Sequence, residues 1–438
     1  MKQIKMTIEQ LYEIYRKHPL ICTDTRKISK SCLFFALKGD HFNGNEFANQ
    51  AIENGAAYAI IDEVNYALNE HFILVSDVLE TLQELARYHR KQLKIPVIGI
   101  TGSNGKTTTK ELIRSVLSQQ FISFATEGNL NNHIGVPLSI LSINDACEIA
   151  IIEMGANHQK EIGFLCGISQ PSQGLITNVG KAHLEGFGGI EGVRIGKGEL
   201  YEYLKSSNGT AFINTNDVIL TEMAREKGLK NLIGYGEGEE NFISAKLKNS
   251  GQFLSVEWHK EDEQTQIAHS KLPGIYNFDN ICAAICIGSY FKLSPEKINA
   301  GINAYEPVNN RSQILKKGSN TIICDYYNAN PSSMMVALDN LDSSHATNKV
   351  MIIGDMFELG DEATFEHGSI LKKALNINCL RRIFIGDEFY GLSDSTGAEF
   401  YRNTADASLA LKQNPIENAT ILLKGSRGMK LESLLDLL

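Results

Sequence analysis

One stretch of the sequence has residue types and spacing that point to a chemistry. Gly99-Ile100-Thr101-Gly102-Ser103-Asn104-Gly105-Lys106-Thr107 reads as the phosphate-binding loop pattern, between a short β-branched run and a helical pattern over Thr107–Ser118. Glycines let backbone N–H groups close round phosphate oxygens, and a helix N-terminus adds a favourable dipole. Lys106 is placed to reach β- and γ-phosphates, and the Thr107 hydroxyl to ligate Mg2+. The alternative, a Gly-rich surface turn, does not account for strand, loop and helix in succession. Two further segments share this logic. An apolar run over Ile149–Ile152 ends in Glu153, and a carboxylate at the end of a parallel strand lies at the ligand crevice, where it offers a magnesium ion an oxygen. A solvated strand-end Glu is the competing reading. Another run, Gly174–Val179, leads into Gly180-Lys181-Ala182-His183. A lone His is more often structural, but its place after a second strand of the same sheet favours function.

These residues need elements to hold them. Ile8–Arg16 and Leu79–Gln92 read as amphipathic helices around short strands at Cys32–Leu37, Tyr58–Ile61 and Phe72–Val75. Strands then alternate with helices, which suggests a mostly parallel sheet, until Asn241–Lys248 and Gln252–Trp258 read as a hairpin around Asn249-Ser250-Gly251. Glu306–Asn310 reads as a linker. Beyond it, strands at Thr321–Asp325, Lys349–Ile353, Arg382–Ile385 and Ala419–Leu423 alternate with helices in a Rossmann-like rhythm, without the Gly-x-Gly-x-x-Gly fingerprint of a dinucleotide site. The expectation is an α/β chain of three units. A small N-terminal unit spans residues 1–93, a central P-loop unit with a mostly parallel sheet 94–307, and a C-terminal Rossmann-like unit 308–438.

Length and composition agree. The chain has 438 residues, 43% hydrophobic and 21% charged, as ordinary globular chains do. The formal charge of −9 speaks against general nucleic-acid or anionic-membrane binding. No apolar run approaches the ~18 residues that span a bilayer, and Met1–His18 has no signal-peptide character. The eight cysteines form no CxxC, and Cys282 and Cys286 read as buried thiols rather than a metal pair. A cytoplasmic enzyme is expected, acting as a monomer without nucleic acid or membrane insertion.

With these residues in view, the chain resembles the Mur ligases and the related folylpolyglutamate synthetases. The resemblance rests on Thr101–Thr109 and on the Glu153 and His183 segments in order and spacing, and it covers essentially the whole chain. Asp325-Tyr326-Tyr327-Asn328-Ala329-Asn330-Pro331-Ser332-Ser333-Met334, Gly354-Asp355-Met356-Phe357-Glu358-Leu359-Gly360, His367 and Leu423-Lys424-Gly425-Ser426-Arg427 resemble the branch that joins D-alanyl-D-alanine to UDP-N-acetylmuramoyl-tripeptide. The resemblance implies that ATP phosphorylates the tripeptide carboxylate and that the dipeptide amine attacks the acyl phosphate. It implies catalytic roles for Lys106, Glu153, His183 and Lys197. ATP would be held by Gly102, Ser103, Asn104, Gly105, Lys106, Thr107 and Thr108, with Asn277 and Asn280 at the adenine, Arg311 at phosphate and Asp325 near the ribose. Thr107 and Glu153 would hold one Mg2+, and His183 with a carbamylated Lys197 a second. Carbamylation needs a neutral amine, so burial or nearby cations would have to depress Lys197, whose bland reading is a surface lysine. Tyr276 stands where relatives usually have His, and Asn277 could serve as an N-cap. Asp24, Thr25 and Arg26, joined loosely by Asn43-Gly44, are implied at the UDP-sugar. Asn129 and Asn132 are implied at substrate positioning, with a polar turn as the alternative, and Asn328 and Asn330 at the dipeptide. Cys324 replaces an acidic residue of the relatives. Rival readings are a sister amino-acid ligase or folylpolyglutamate synthetase, and a non-catalytic nucleotide-gated binding protein.

Overall fold

A computed structural model describes residues 6–250, 253–307, 310–393 and 397–438. Its strands form three main sheets in chain order, each with helices. The first has four parallel strands, ordered Ile21–Cys22, Leu33–Phe35, Tyr58–Ile61 and Phe72–Leu74. Helix Ile8–Lys17 starts on a Thr7/Gln10 capping box, and Asp77 caps helix Val78–Gln92 through the Glu80 N–H. Both helices bury one face. The Tyr15 hydroxyl donates to Leu141 O at 2.6 Å, and Arg90 donates to Ser169 O and Gln170 O, which seats this unit on the next.

The central sheet has nine strands. Val97–Thr101, fully buried, lies between Ile149–Glu153 and Gln173–Ile176, parallel to both. The chain winds outward on either side of it, so this strand sits at the topological switch point, where the carboxyl ends of parallel strands open a crevice. The three strands read from sequence as carrying the chemistry are therefore neighbours. The far edge is antiparallel, with Ile243–Ser250 against Leu254–His259 and that against Gln266–His269. This is the expected hairpin; Gly251 of the expected turn and Gln252 of the expected second strand lie outside the described residues.

The third sheet has six strands, parallel except for Gln313–Lys317 against Asn320–Asp325. In its middle, Asn320–Asp325 pairs in parallel with Thr420–Lys424, which sets Asp325 beside Lys424. The expected linker, and with it the expected 307/308 boundary, includes Val308 and Asn309, which lie outside the described residues. All eight cysteines are unpaired, and Cys282 and Cys286 are buried in helix Phe278–Tyr290, where burial raises both thiols. Among the described residues no group of three metal-ligating side chains occurs, and no helix is long and apolar enough to cross a membrane.

Candidate active site

The loop departs from the strict Gly-x-x-x-x-Gly-Lys-Thr spacing, because the residue five before Gly105 is Ile100, a buried strand residue. The turn begins instead at Gly102, with φ +142°, where a Cβ would come within 2.0 Å of Thr177 Oγ1. Gly105, with φ +79°, opens helix Lys106–Leu117 and has Asn280 Oδ1 2.8 Å from where a Cβ would stand. Only glycine fits either place. The following loop braces this one. The Ser103 N–H donates to Asn178 O (3.0 Å), the Asn104 N–H donates to Asn178 Oδ1 (3.0 Å), and the Thr177 hydroxyl donates to Asn104 O (2.5 Å).

Lys106 bends back over the loop, donating to Gly102 O at 2.5 Å and Ser103 O at 3.2 Å. Burial and the nearby Arg311 guanidinium push its ammonium down to about 8, against the pull of Glu153. Bound phosphates would restore the charge. ADP binding without metal is therefore expected to take up about half a proton at pH 8 and nearly one at pH 9.5, with affinity falling as pH rises past 8. Calorimetry in buffers of different ionisation enthalpy measures this; no uptake at pH 9.5 would refute it.

Glu153 is buried at the end of its strand. The Thr107 hydroxyl donates to its carboxylate at 3.0 and 3.2 Å, and the Asn131 amide donates to Oε1 at 2.9 Å. Lys110, one helical turn beyond Lys106 and fully buried, places its ammonium 3.6 Å from Oε2 and 2.5 Å from Thr126 O. Asn131 and Lys110 were not singled out by sequence reasoning. Asn131 stands between the two asparagines chosen from its loop, and the helical repeat from Lys106 points to Lys110.

Lys106, Asn131 and Glu153 line one cavity of 1110 Å³ between the central and C-terminal units. Of the expected site residues, Ser103, Asn104, Gly105, Lys106, Thr108, Asn129, Asn132, Glu153, His183, Asn277, Asn280, Arg311, Asp325, Asn328 and Asn330 line it. Gly102 and Thr107 are in the loop and helix behind its wall. Lys197 is buried on helix Ile190–Ser206, with Nζ over the Phe187 ring at 4.9 Å and, among the described residues, a single hydrogen bond, to Ala156 O at 3.3 Å. It is 1% exposed, so the surface-lysine reading is wrong, and burial and Lys106 hold it well below the ordinary lysine range.

Other side chains have structural partners beside any ligand role. Asn132 Oδ1 accepts from the Ile134 and Gly135 N–H groups, as a polar turn does. Asn277 occupies an N-cap position but makes no side-chain cap; its amide donates to Pro273 O and accepts from Asn280. Asn330 caps helix Pro331–Ser343, and its amide also donates to Asn104 Oδ1 at 2.8 Å, across the two units. The Lys424 ammonium, buried beneath Asp325, donates to its Oδ2 at 2.6 Å. Tyr327 stacks on Arg311, whose guanidinium carbon is 3.8 Å from the ring centre. Sequence reasoning passed over Tyr327 because it sits inside the motif whose asparagines drew attention. Asp24 caps the short turn Thr25–Lys27 and pairs with Arg26, which lowers its carboxyl to about 2. Asp24, Thr25 and Arg26 lie outside the cavity lining. Asn43 caps the next short turn and donates to Glu63 at 3.1 Å.

The wider likeness agrees with this geometry. Three family models match the chain: the Mur ligase family catalytic domain over residues 19–90, the Mur ligase middle domain over 100–288, and the Mur ligase glutamate ligase domain over 310–427. A UDP-N-acetylmuramoyl-tripeptide–D-alanyl-D-alanine ligase of Bacillus subtilis (strain 168) is 36% identical, over 94% of this chain and 92% of the relative. A crystal structure of MurF from Acinetobacter baumannii superposes with a TM-score of 0.85 at 30% identity, over 95% and 92% of the two chains. The MurF ligase of Thermotoga maritima, solved in complex with ADP, has the same fold, with a TM-score of 0.84 at 24% identity over 95% and 96%. A loop built for phosphate and a cavity shared by two units are what this likeness leads one to find, and the chain belongs to the Mur ligase family.

Proposed function

We propose that the chain joins D-alanyl-D-alanine to UDP-N-acetylmuramoyl-tripeptide at the cost of ATP, giving the pentapeptide, ADP and phosphate, as a monomer in the cytoplasm. The observation that carries this reading is the shared cavity: the central unit brings Lys106 and Glu153, the C-terminal unit Arg311, Asp325 and Asn328. It supports a reaction in which nucleotide and acceptor are held by different units and meet between them.

The loop N–H groups, Lys106 and Arg311 draw the polyphosphate charge, so that the tripeptide carboxylate can approach the γ-phosphorus. The carboxylate oxygen forms the new P–O bond as ADP leaves. The dipeptide amine then adds to the acyl carbon, and the tetrahedral intermediate expels phosphate. Closure of the two units over the cavity would keep water from the acyl phosphate. Asn328 and Asn330 are assigned to the dipeptide, Asn129 and Asn132 to the tripeptide, and Asp24, Thr25 and Arg26 to the UDP-sugar. Asn277, Asn280 and Asp325 are assigned to the nucleoside.

The Thr107 hydroxyl and Glu153 carboxylate are hard oxygen donors already in contact, which fits a magnesium ion that takes its other ligands from phosphate and water. When bound, that ion neutralises phosphate charge. The under-bonded, buried amine of Lys197 fits carbamylation, and His183 with a carbamylated Lys197 would hold a second ion.

Phosphate release from Mg-ATP tests the proposal, with either lysine or diaminopimelate as third residue of the tripeptide. Release only when D-alanyl-D-alanine is added, with a product of pentapeptide mass, is expected. Release that ignores both substrates points to a nucleotide switch, and release that follows a single amino acid to a sister ligase.

A further inference from the structure

Two residues that are not glycine adopt left-handed backbone and meet across the seam between the central and C-terminal units. His183 has φ +53° and Glu358 φ +63°. Such conformations persist in non-glycine residues only where the surroundings enforce them, and they gather at functional sites. His183 Nδ1 is hydrogen-bonded to Glu358 Oε2, and the Glu185 N–H donates to Glu358 O at 3.5 Å.

Glu358 is held from behind. The Met356 N–H donates to His367 Nε2 (3.0 Å), and the Phe357 N–H to Ser426 Oγ (3.0 Å). His367 is fully buried and its Nδ1 donates to Ala363 O at 2.7 Å, which fixes its own tautomer. Beyond Glu358, Gly360 packs on Glu185, whose Cβ lies 3.2 Å from where a Cβ of Gly360 would stand. A second pair crosses the same seam: Lys181 Nζ donates at 2.5 Å to Glu366, a carboxylate that is only 4% exposed.

We propose that Glu358 is a positioning residue for the ligation: docking of the C-terminal unit brings its carboxylate to His183 and fixes the imidazole proton on Nδ1. A carboxylate oxygen only accepts, so the shared proton belongs to Nδ1, and in the neutral ring Nε2 keeps its lone pair. His183 lines the cavity, and it then presents a nitrogen that can accept a hydrogen bond or a divalent cation. Without Glu358 the ring is free to turn and to change tautomer. The kinetic part of this inference rests on the proposed ligation; the tautomer does not.

The experiment uses the full chain with 15N-labelled histidine, the His183 signals being identified by their loss in His183→Asn. Glu358→Gly removes the carboxylate and suits the left-handed backbone; Glu358→Gln keeps an acceptor. At a pH where the ring is neutral, the wild type and Glu358→Gln should show a protonated Nδ1 and an unprotonated Nε2, and Glu358→Gly a mixture. In the ligation assay Glu358→Gly should lose about 10- to 100-fold in kcat with KM for ATP little changed, and Glu358→Gln should recover most of it. A wild-type His183 protonated at Nε2, a Glu358→Gly protein with the wild-type tautomer, or one with wild-type kcat would each overturn the proposal. A wild type without dipeptide-dependent phosphate release would sink the ligase reading instead and leave the tautomer result to judge the contact.

Discussion

Lys106→Met should lower turnover by about 10²- to 10³-fold, the usual loss when one positioned donor to developing charge is removed from a water-poor site. Methionine keeps the length and apolar stem of lysine, so the loop can close over it, but it cannot give the phosphates a charge. In the free protein two of the three ammonium donors are spent on Gly102 O and Ser103 O. These bonds orient the side chain along the loop before nucleotide arrives. In the proposed first step a carboxylate approaches a polyphosphate, where catalysis is mostly positioning and electrostatic stabilisation. Arg311 approaches from the other unit, and with burial its guanidinium lowers the charge of Lys106 until an anion enters. The loss should therefore fall on kcat as well as on KM for ATP. The same substitution should leave the melting temperature unchanged or slightly raised, because it removes a partly buried charge held below its ordinary range. Turnover and thermal melting measured together separate this from misfolding; a variant that folds and keeps most of its activity would remove Lys106 from the mechanism.

The parts legible in the sequence share one property: their chemistry is local. Gly102–Thr107 declares itself because strand, turn and helix follow without interruption, even though Ile100 breaks the strict spacing. Glu153 is legible because its apolar run ends in a carboxylate beside the phosphate-loop strand; alone, a solvated strand-end Glu would read as well. What the sequence hides lies in pairings between distant segments. Asn131 meets Glu153 across 22 residues, and Asn330 meets Asn104 across 226. Edge strands were also missed. Gln313–Lys317 has no fully buried residue and Glu399–Tyr401 is half-buried throughout, so neither shows a clean apolar alternation. Lys424 was visible only as part of a motif. Its meaning comes from register, since the pairing of Asn320–Asp325 with Thr420–Lys424 is what sets it beside Asp325.

Lys197→Ala should lose about 10²-fold or more in turnover and regain part of it when formate or acetate is added. The argument starts from the state of the amine. Lys197 lies in the middle of helix Ile190–Ser206, is 1% exposed and faces the Phe187 ring and one carbonyl oxygen, Ala156 O. A full positive charge is poorly served there, and burial with the nearby Lys106 favours the neutral amine. A neutral amine is the form that adds to carbon dioxide. The carbamate converts an unwelcome cation into an anion beside Lys106, and it extends the side chain by a carboxylate. Alanine deletes that carboxylate and leaves the space it and the lysine stem filled. A small carboxylate can enter this space and supply the missing oxygens, whereas a cation such as methylammonium cannot. Lys197→Met gives the control: it removes the carbamate but keeps the stem, so rescue should be much weaker. The wild type stripped of carbon dioxide should lose activity and recover it when bicarbonate is returned. An alanine variant with normal untreated turnover would remove the carbamate from the account, and rescue by methylammonium instead of carboxylates would show that the site wants the lysine's positive charge after all.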